Sequence, residues 1–426
     1  MFSGGMHPET IALDAGSSGC RAARFSKEGE MLLSAEETYG RDEDNTLDPL
    51  KVLAAVRRVL HVCDWQSGIL APGSIMHSLL RLDKSGRPAG PCSLWNDSSA
   101  AEYLIRHPEP LLLDNGCPRG PHIPLFRILA RPEYYRGYRL VSLKNFLISQ
   151  LLQQPAPEDW TTAAASGCLD LESRNWALPA AIADFLPFLP DPVSPLTRFG
   201  DSLAGTSDGA LAHLGSCGLS HSSLSLTMGT TMAVRLIAPR TEQGLRQFQY
   251  PLWGDLFLHG LASNNAGFRL SPEEVASITA LPEDSLLKRV GPFFDLSIYD
   301  DRVCFLQPLE ESDDSLPARL EAMTFLSAAL CEELADWFVI RPERVVLSGS
   351  LAVLPAIGNL LGAILPFPLF LADRRAGLFG SFLLTRLSEG QGSISGVARV
   401  LPAVVPDRKR YERWTAAAFV SANAKQ

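Results

Sequence analysis

The order of apolar and polar positions divides the chain into two stretches that begin alike. Residues 11–25, "IALDAGSSGCRAARF", fit an apolar strand, a turn of glycine and serine, and a second apolar strand. Residues 224–238, "LSLTMGTTMAVRLIA", repeat the pattern with threonine in the turn. One such hairpin would be weak evidence, because glycine and serine mark ordinary turns. Two copies indicate an internal duplication.

The pattern between and after these hairpins predicts an α/β fold. A third strand follows the turn at Gly29, and residues 47–63 have helical periodicity that starts at Asp48 and Pro49. The run 73–82 is expected to be a strand that carries His77. A helix over 320–337 and a strand ending at Ser348 complete the second half. Strand, strand, strand, helix, strand is an α/β order and not a pure Rossmann series.

Residues 351–372 carry no charge and are long enough to cross a membrane. Three prolines, a glycine and an asparagine interrupt this run, however. A helix over about 354–364 followed by a buried strand over about 367–372 fits it better, so no membrane association is expected.

Length, charge and cysteine usage narrow the class of protein. The 426 residues favour two domains, which we place at 1–219 and 220–426. The net charge of −9 argues against a nucleic-acid surface. Eight scattered cysteines without a CxxC pair fit reduced thiols, and no secretory signal is visible at the start, so we expect a cytoplasmic protein.

The two turns have the chemistry of a phosphate site. Small residues let backbone N–H groups approach an anion, and hydroxyl groups add donors. Two such turns facing each other could hold the β- and γ-phosphates of a nucleotide, and Asp14 at the end of the first strand could hold a hydrated Mg²⁺. Plain hairpins remain the alternative at this point, and neither a Walker loop nor GxGxxG after a strand is present. The turn residues are Gly16, Ser17 and Ser18, then Gly229, Thr230 and Thr231.

These segments resemble a known family. "LDAGSSGCRAARF" and "LTMGTTMAV" resemble the two phosphate hairpins of the FGGY carbohydrate kinases, members of the actin–hexokinase–Hsp70 superfamily. "GTSDGALAHLG" looks like the segment with their catalytic aspartate, here Asp208. "VVLSGS" resembles their adenosine-binding turn, here Ser348, Gly349 and Ser350. The resemblance implies two actin-like (ribonuclease H-like) domains with mixed five-stranded sheets and flanking helices, the substrate lying on the first and ATP mainly on the second.

Within the family the resemblance is first to gluconate kinases. "SIMHSLLRLDKSGRP", "LWNDSSAAEY", "NGCPRGPHIPLFRI" and "HGLASNNAGF" are similar to their substrate-side segments. Xylulose kinases share the Met-His pair and the WND segment. The resemblance implies that the substrate is bound by Met76, His77, Trp95, Asp97, Asn264 and Asn265.

Each of these residues also has a structural alternative. Asp208 precedes a helix-like run and could be its N-cap. His77 could be a satisfied core histidine, and Trp95 a buried residue beside a turn formed by Asp97. The two adjacent asparagines could form a turn. Arg21, on the second strand of the first hairpin, fits a structural ion pair better than a catalytic role, and the charged run 407–413 fits a solvated surface.

The chain departs from the family pattern on both sides of the expected site. Ser99 stands where arginine is usual, Ser350 where a second glycine is usual, and the Glu-Arg-Ala-Pro loop expected after "NNAGF" is missing. The sequence therefore predicts ATP-dependent, Mg²⁺-dependent phosphorylation of a small sugar acid or sugar, with a gluconate-like substrate first. The alternatives are a xylulose, other ketose or polyol kinase, and a pseudokinase that binds sugar or nucleotide in a regulatory role. Assembly as a homodimer is left open.

Overall fold

The computed structural model describes most of the chain. The described residues are 9–40, 42, 46–109, 113–229, 231–244, 246–263, 270–296, 303–305, 311–373, 375–391 and 394–420. Three of the predicted site residues, Thr230, Asn264 and Asn265, lie outside them.

Strands and short helices alternate through the first half, and longer helices follow in the second. The strands are β1 Thr10–Ala15, β2 Gly19–Phe25, β3 Met31–Thr38, β4 Ile69–Ser74, β5 Leu80–Leu82, β6 Arg139–Val141, β7 Glu158–Asp159, β8 Pro192–Val193, β9 Arg198–Phe199, β10 Ser202–Leu203, β11 Thr206–Ser207, β12 Ser223–Met228, β13 Met232–Pro239, β14 Gln247–Pro251, β15 Leu256–Ser263, β16 Val303–Phe305, β17 Arg344–Ser348, β18 Leu369–Ala372, β19 Ala398–Val400 and β20 Ala418–Val420. The α-helices are α1 Pro49–Val62, α2 Ala101–Arg106, α3 Pro124–Ala130, α4 Pro132–Tyr135, α5 Leu143–Leu152, α6 Trp160–Ala165, α7 Asp208–Cys217, α8 Pro272–Ile278, α9 Leu316–Trp337, α10 Pro355–Ile364, α11 Ala376–Ser388 and α12 Lys409–Ala417. A 3₁₀ helix spans Ala180–Phe188.

Two mixed sheets of the same design organise the molecule. In the first, β1 pairs antiparallel with β2 and parallel with β4, and β3 lies outside β2. In the second, β12 pairs antiparallel with β13 and parallel with β17, and β15 lies outside β13. The mixed α/β architecture predicted from the sequence is confirmed. Each sheet contains seven strands rather than five, because short strands are added at its edges.

Strands β1 and β4 of the first sheet are buried along almost their whole length because helices cover both faces. Ile11 and Leu13 point into a core that α1 shares, whereas Ala12 and Ala23 point into a core that α7 and α11 share. The predicted helix start is confirmed, since Asp48 caps α1 by accepting a hydrogen bond from the backbone N–H of Leu50 at 2.9 Å. Parallel strands covered on both faces read as continuous apolar runs, as seen here.

Helices α7 and α11 cross with their backbones in direct contact. A Cβ atom on Gly215 would lie 1.8 Å from the carbonyl oxygen of Ala376, and one on Gly380 would lie 2.0 Å from that of Leu211. Only glycine permits this approach. Helix α11 belongs to the second half of the sequence but packs on β1 and β4 of the first sheet. The division near residue 219 stays a prediction, and α11 joins the core of the first half.

The apolar run 351–372 folds as predicted, into helix α10 and strand β18. Within the described residues, no helix has the length and apolar character to cross a membrane. Seven cysteines are described as unpaired thiols, and six of them are buried.

Two predictions about local structure are wrong. His77 does not lie on a strand, because the chain leaves β4 at Ser74 and turns through His77 at a φ of 60° before β5 begins. The charged run 407–413 is not simply a solvated surface. It forms the start of α12, where Arg410 donates to the buried Glu321 at 2.5 Å and Arg408 pairs with Glu332 at 2.8 Å, so the run ties α12 to α9.

Candidate active site

The first hairpin turn is a rigid frame at the end of β1. The backbone N–H of Gly16 donates to the carbonyl oxygen of Gly19 at 2.9 Å. The hydroxyl group of Tyr39 donates to the carbonyl oxygens of Gly16 and Gly19 at 2.5 and 2.9 Å. A Cβ atom on Gly19 would lie 2.7 Å from the backbone oxygen of Glu37, so this position requires glycine. Ser17 and Ser18 form the tip of the turn, where the sequence predicts that phosphate binds.

Asp14 is the last polar side chain of β1 before that turn, and it is partly buried. Desolvation, with the nearby charge of Asp208, raises the pKa of Asp14 to about 6, and the charge of Arg21 opposes this rise. Arg21 itself pairs with Glu36 at 3.6 Å on the exposed face of the sheet, in line with the predicted structural ion pair. A Cβ atom on Gly377, at the start of α11, would lie 3.8 Å from an Asp14 carboxylate oxygen.

The second hairpin packs against the turn that follows β17. The backbone N–H of Gly229 donates to the carbonyl oxygen of Thr231 at 2.9 Å. Gly349 has a φ of 95°, and a Cβ atom there would lie 2.3 Å from the carbonyl oxygen of Met228, so only glycine fits. A Cβ atom on Gly229 would lie 3.8 Å from the Ser350 hydroxyl oxygen. The second predicted phosphate turn therefore lies beside the predicted adenosine turn at Gly349 and Ser350, and Thr230 of the phosphate turn is not described.

Asp208 is the first residue of α7, and Ser207 is the N-cap. The hydroxyl oxygen of Ser207 accepts from the backbone N–H of Ala210 at 3.2 Å, so the sequence alternative that makes Asp208 the cap is wrong. The Asp208 carboxylate instead accepts from the N–H of Gly209 at 2.7 Å. Desolvation raises the pKa of Asp208, while the charge of Arg235 and the backbone N–H groups of Gly209 and Met76 oppose the rise.

Arg235 links Asp208 to the second hairpin, and sequence reasoning missed it. It lies on β13 and is only 8% exposed. Its guanidinium donates to the Thr227 hydroxyl oxygen at 3.0 Å, and that hydroxyl lies 3.0 Å from the Ser348 hydroxyl. The signal was a single cation inside the otherwise apolar run "MAVRLIA". Thr227 thus connects Arg235 to Ser348, and Asp208 interacts electrostatically with Arg235 and with Asp14.

The turn with Met76 and His77 faces the same end of α7. The imidazole Nδ1 of His77 lies 2.7 Å from the carbonyl oxygen of Ala165, so Nδ1 carries the proton and Nε2 is left as an acceptor. Burial lowers the pKa of His77 to about 4, which keeps the ring neutral. Its ring centroid lies 5.0 Å from that of His122.

Arg127 joins the two polar residues predicted for the substrate side, and it too was missed. Its side chain is fully buried, donates to the carbonyl oxygen of His77 and to the Ser93 hydroxyl at 2.6 Å, and lies 3.6 Å from an Asp97 carboxylate oxygen. The signal was again one cation in an apolar run, "PLFRILA". Asp97 also accepts from the backbone N–H of Ser99 at 2.8 Å, which is the turn that the alternative predicted.

Trp95 is half-buried and packs against the α1 side of the first core. Its role in binding the sugar stays a prediction. The predicted sugar contacts of Asn264 and Asn265 fall outside the described residues.

The residues at Asp14 fit a magnesium ion bound together with phosphate. Mg²⁺ is usually held by one or two carboxylates, phosphate oxygens and water. Asp14 and Asp208 are two carboxylates whose mutual repulsion contributes to the raised pKa of Asp14, and a cation between them would relieve it. Within the described part of the chain, no group of three or more acidic, histidine or cysteine side chains could hold a metal alone. A phosphate-bound ion is therefore the form that this site fits.

Comparison with known proteins finds sugar kinases. No family model matches the chain. A gluconokinase from Bacillus licheniformis is 25% identical over 336 residues, which cover 69% of this chain and 64% of the relative. The chain thus spans less than two thirds of the length of the curated relatives it matches.

The solved structures give the fold. The gluconate kinase and the ligand-bound xylulose kinase from Lactobacillus acidophilus each superpose with a TM-score of 0.76 at 18% identity, covering 96% of both chains. The fold is that of the two-domain, actin-like sugar kinases. The resemblance to FGGY carbohydrate kinases, with gluconate kinases first, is confirmed.

Proposed function

We propose that this protein transfers the γ-phosphoryl group of ATP to a hydroxyl group of a small sugar acid. A gluconate-like acid is the substrate that we propose first. The observation that carries the proposal is the position of Asp208. It is a partly buried carboxylate at the start of α7, within electrostatic reach of Asp14 at one hairpin and of Arg235 at the other. A proton acceptor between two phosphate-binding turns is the arrangement that transfer to a hydroxyl group requires.

In this mechanism Asp208 orients the substrate hydroxyl group and accepts its proton. Phosphoryl transfer has a loose transition state, so the aspartate acts mostly by position and takes the proton late. The backbone N–H groups of Gly209 and Met76 hold the Asp208 carboxylate in place. Bound Mg²⁺ would neutralise phosphate charge, with Asp14 as its protein ligand. Closure of the two halves excludes water, so that the sugar hydroxyl attacks and water does not.

The sugar would lie on the first half against the turn at His77. A neutral imidazole with a free Nε2 can accept a hydrogen bond from a sugar hydroxyl, and Asp97 can do the same. The fixed carbonyl of His77 and the ion pair of Arg127 keep both acceptors in place. The unpaired cysteines support a reducing compartment, and we propose that the protein works in the cytoplasm with ATP from that pool.

A coupled ADP-release assay over a panel of sugars tests this proposal. The panel contains gluconate and other sugar acids, xylulose and other ketoses, and glycerol and other polyols, each with ATP and Mg²⁺. We expect the highest kcat/KM with a sugar acid. A preference for xylulose or a polyol would replace the substrate class but keep the reaction. No turnover with any member, together with measurable binding of ATP or sugar, would favour the pseudokinase.

A further inference from the structure

Two arginines of the second sheet reach the two ends of α7 in the first half. Arg235 lies against the N-terminal end, where a Cβ atom on Gly209 would be 2.9 Å from its Nε and 3.0 Å from a terminal nitrogen. Arg344 reaches the C-terminal end and donates to the carbonyl oxygen of Cys217 at 3.0 Å. Each also donates to a hydroxyl of β12, Arg235 to Thr227 and Arg344 to Ser223. The two side chains therefore hold the same pair of elements at opposite ends.

The two arginines differ in how their donors are used. Arg344 donates through Nε at 2.9 Å and through a terminal nitrogen. Arg235 donates through one terminal nitrogen to Thr227, and its Nε has no hydrogen-bond partner although the side chain is more than nine-tenths buried. A buried donor is normally paired, so the unpaired Nε–H of Arg235 is open to a further hydrogen-bond acceptor.

The residues around Arg235 indicate which kind of ligand its free Nε–H could bind. Thr227 precedes the second hairpin turn, Gly209 follows Asp208, and the side chain of Met76 lies on the same side of Gly209. The charge of Arg235 acts on Asp208, and His213 on the buried face of α7 lies within reach of both arginines. The guanidinium of Arg235 thus lies between Asp208, the expected base, and the second hairpin turn, the expected phosphate site. The negatively charged phosphoryl group would move through this region during transfer.

We propose that Arg235 is a further catalytic residue, whose unpaired Nε–H donates to an oxygen of the phosphoryl group as it moves from ATP to the sugar. This inference rests on the proposed kinase function. The hydroxyl oxygen of the sugar forms a bond to the γ-phosphorus, and the bond from that phosphorus to the bridging oxygen of ADP breaks. The hydroxyl proton passes to Asp208. Arg235 keeps its own proton, as arginine does in proteins, and contributes charge and geometry.

The test compares Arg235→Gln, Arg235→Lys and the control Arg344→Gln in the full-length protein. Loss of one preorganised donor to a developing charge costs about 10²–10³-fold in kcat. We expect that loss for Arg235→Gln, with KM for ATP and for the sugar acid changed by less than about threefold. Arg235→Lys keeps the charge but loses the fork of donors, so we expect a smaller loss of about tenfold. We expect Arg344→Gln to keep kcat within about twofold.

Binding of a transition-state analogue separates catalysis from structural support. MgADP with aluminium fluoride mimics the phosphoryl group in flight, and its affinity is compared with that of MgADP alone by calorimetry. We expect Arg235→Gln to weaken the analogue by about 10²-fold and to leave MgADP unchanged. Equal losses for both ligands, or a kcat equal to that of wild type, would overturn the role of Arg235. A wild type without turnover on the sugar panel would instead overturn the kinase proposal.

Discussion

The two hairpins align position for position from the end of the central strand into the turn, and within this stretch they differ in one charge. "LDAGSS" of the first aligns with "LTMGTT" of the second, so Asp14 and Thr227 occupy the same position at the end of the central strand. Asp14 is a carboxylate whose pKa is raised to about 6. Thr227 is a hydroxyl that accepts from Arg235 and lies 3.0 Å from Ser348. Duplication thus supplied two similar turns, one ending in an anion and one held by a cation.

Under the proposed function, this difference gives the two similar turns different tasks in phosphoryl transfer. A carboxylate beside the first turn suits a metal ion that arrives with phosphate. A hydroxyl held by a buried guanidinium suits the phosphate oxygens themselves. Asp208 interacts electrostatically with Asp14 of the first hairpin and with Arg235 of the second. Single substitutions can disrupt this arrangement of charges one position at a time.

The largest effect is expected at Asp208, which serves both hairpins. Asp208→Asn removes the proton acceptor but keeps the shape, and we expect kcat to fall by about 10²–10⁴-fold. ATP affinity should change little, because we expect the nucleotide contacts mainly on the second half. Ser207→Ala is the matched control. Loss of this N-cap costs ~1 kcal/mol of stability, so its melting temperature should fall while kcat is retained. Near-normal turnover of Asp208→Asn would remove the catalytic assignment.

The second effect compares the equivalent positions directly. We expect Asp14→Ala to lower Mg²⁺-dependent turnover by at least about 10²-fold, because the expected metal ligand is lost. Thr227→Val keeps the shape and removes the hydroxyl that holds Arg235, and about a tenfold loss is expected, equivalent to one good hydrogen bond. Turnover is measured against Mg²⁺ concentration for both variants, with Thr227→Ser as control. If Asp14→Ala left the Mg²⁺ dependence intact, the metal assignment would be wrong.

The third effect concerns the sugar side, away from both hairpins. Arg127→Lys keeps the charge but cannot hold His77, Ser93 and Asp97 together, so we expect KM for the sugar acid to rise about tenfold, or ~1.4 kcal/mol. KM for ATP should not change. Arg289→Lys is the control, since Arg289 is a partly buried arginine that pairs with Asp313 at 2.6 Å in the second half. A parallel rise in both KM values would mean that Arg127 only supports the fold.

The last prediction concerns stability instead of turnover and tests the contact between the halves. His213 of α7 lies 2.8 Å from the Ser225 hydroxyl of β12, and burial, with the charges of Arg235 and Arg344, lowers its pKa from 6.5 to about 3. Between these two pH values, His213 therefore binds a proton in the unfolded chain and not in the folded chain. Stability should fall as the pH drops from about 6.5 towards 3, by at most ~1.4 kcal/mol per pH unit.

Urea unfolding at several pH values checks this dependence. We expect His213→Gln to be less stable than wild type near neutral pH and to lose part of the acid slope. The exposed His61 is the control, and His61→Gln should keep the wild-type slope. An unchanged slope in His213→Gln would show that this histidine does not contribute.

Local patterns were sufficient to predict much of this fold. The hairpins, α1, α10 and β18 each have their signal within a few residues: a glycine turn, an Asp-Pro start, or prolines that interrupt an apolar run. The turn at His77 had no such signal, because "SIMHSLLRL" has no glycine or proline and a histidine takes the positive φ. A strand was the natural interpretation of that run.

The polar connections of the site could not be predicted in the same way. Arg235 and Arg127 each stand out as one cation in an apolar run, but their partners are distant in sequence. Arg127 contacts a turn 50 residues earlier. Arg235 acts on Asp208, which belongs to the other half of the fold. Tertiary packing brings these groups together, within the first half for Arg127 and between the two halves for Arg235.

The central claim is that Asp208 delivers a sugar hydroxyl group to ATP between the two hairpins. The most direct test is mass spectrometry of the products formed from ATP, Mg²⁺ and the best sugar acid of the panel. We expect wild type to convert the acid into its monophosphate with one ADP released for each product molecule, and Asp208→Asn to form it at least about 10²-fold more slowly. ADP release without a phosphorylated sugar, or equal product from both proteins, would contradict the account.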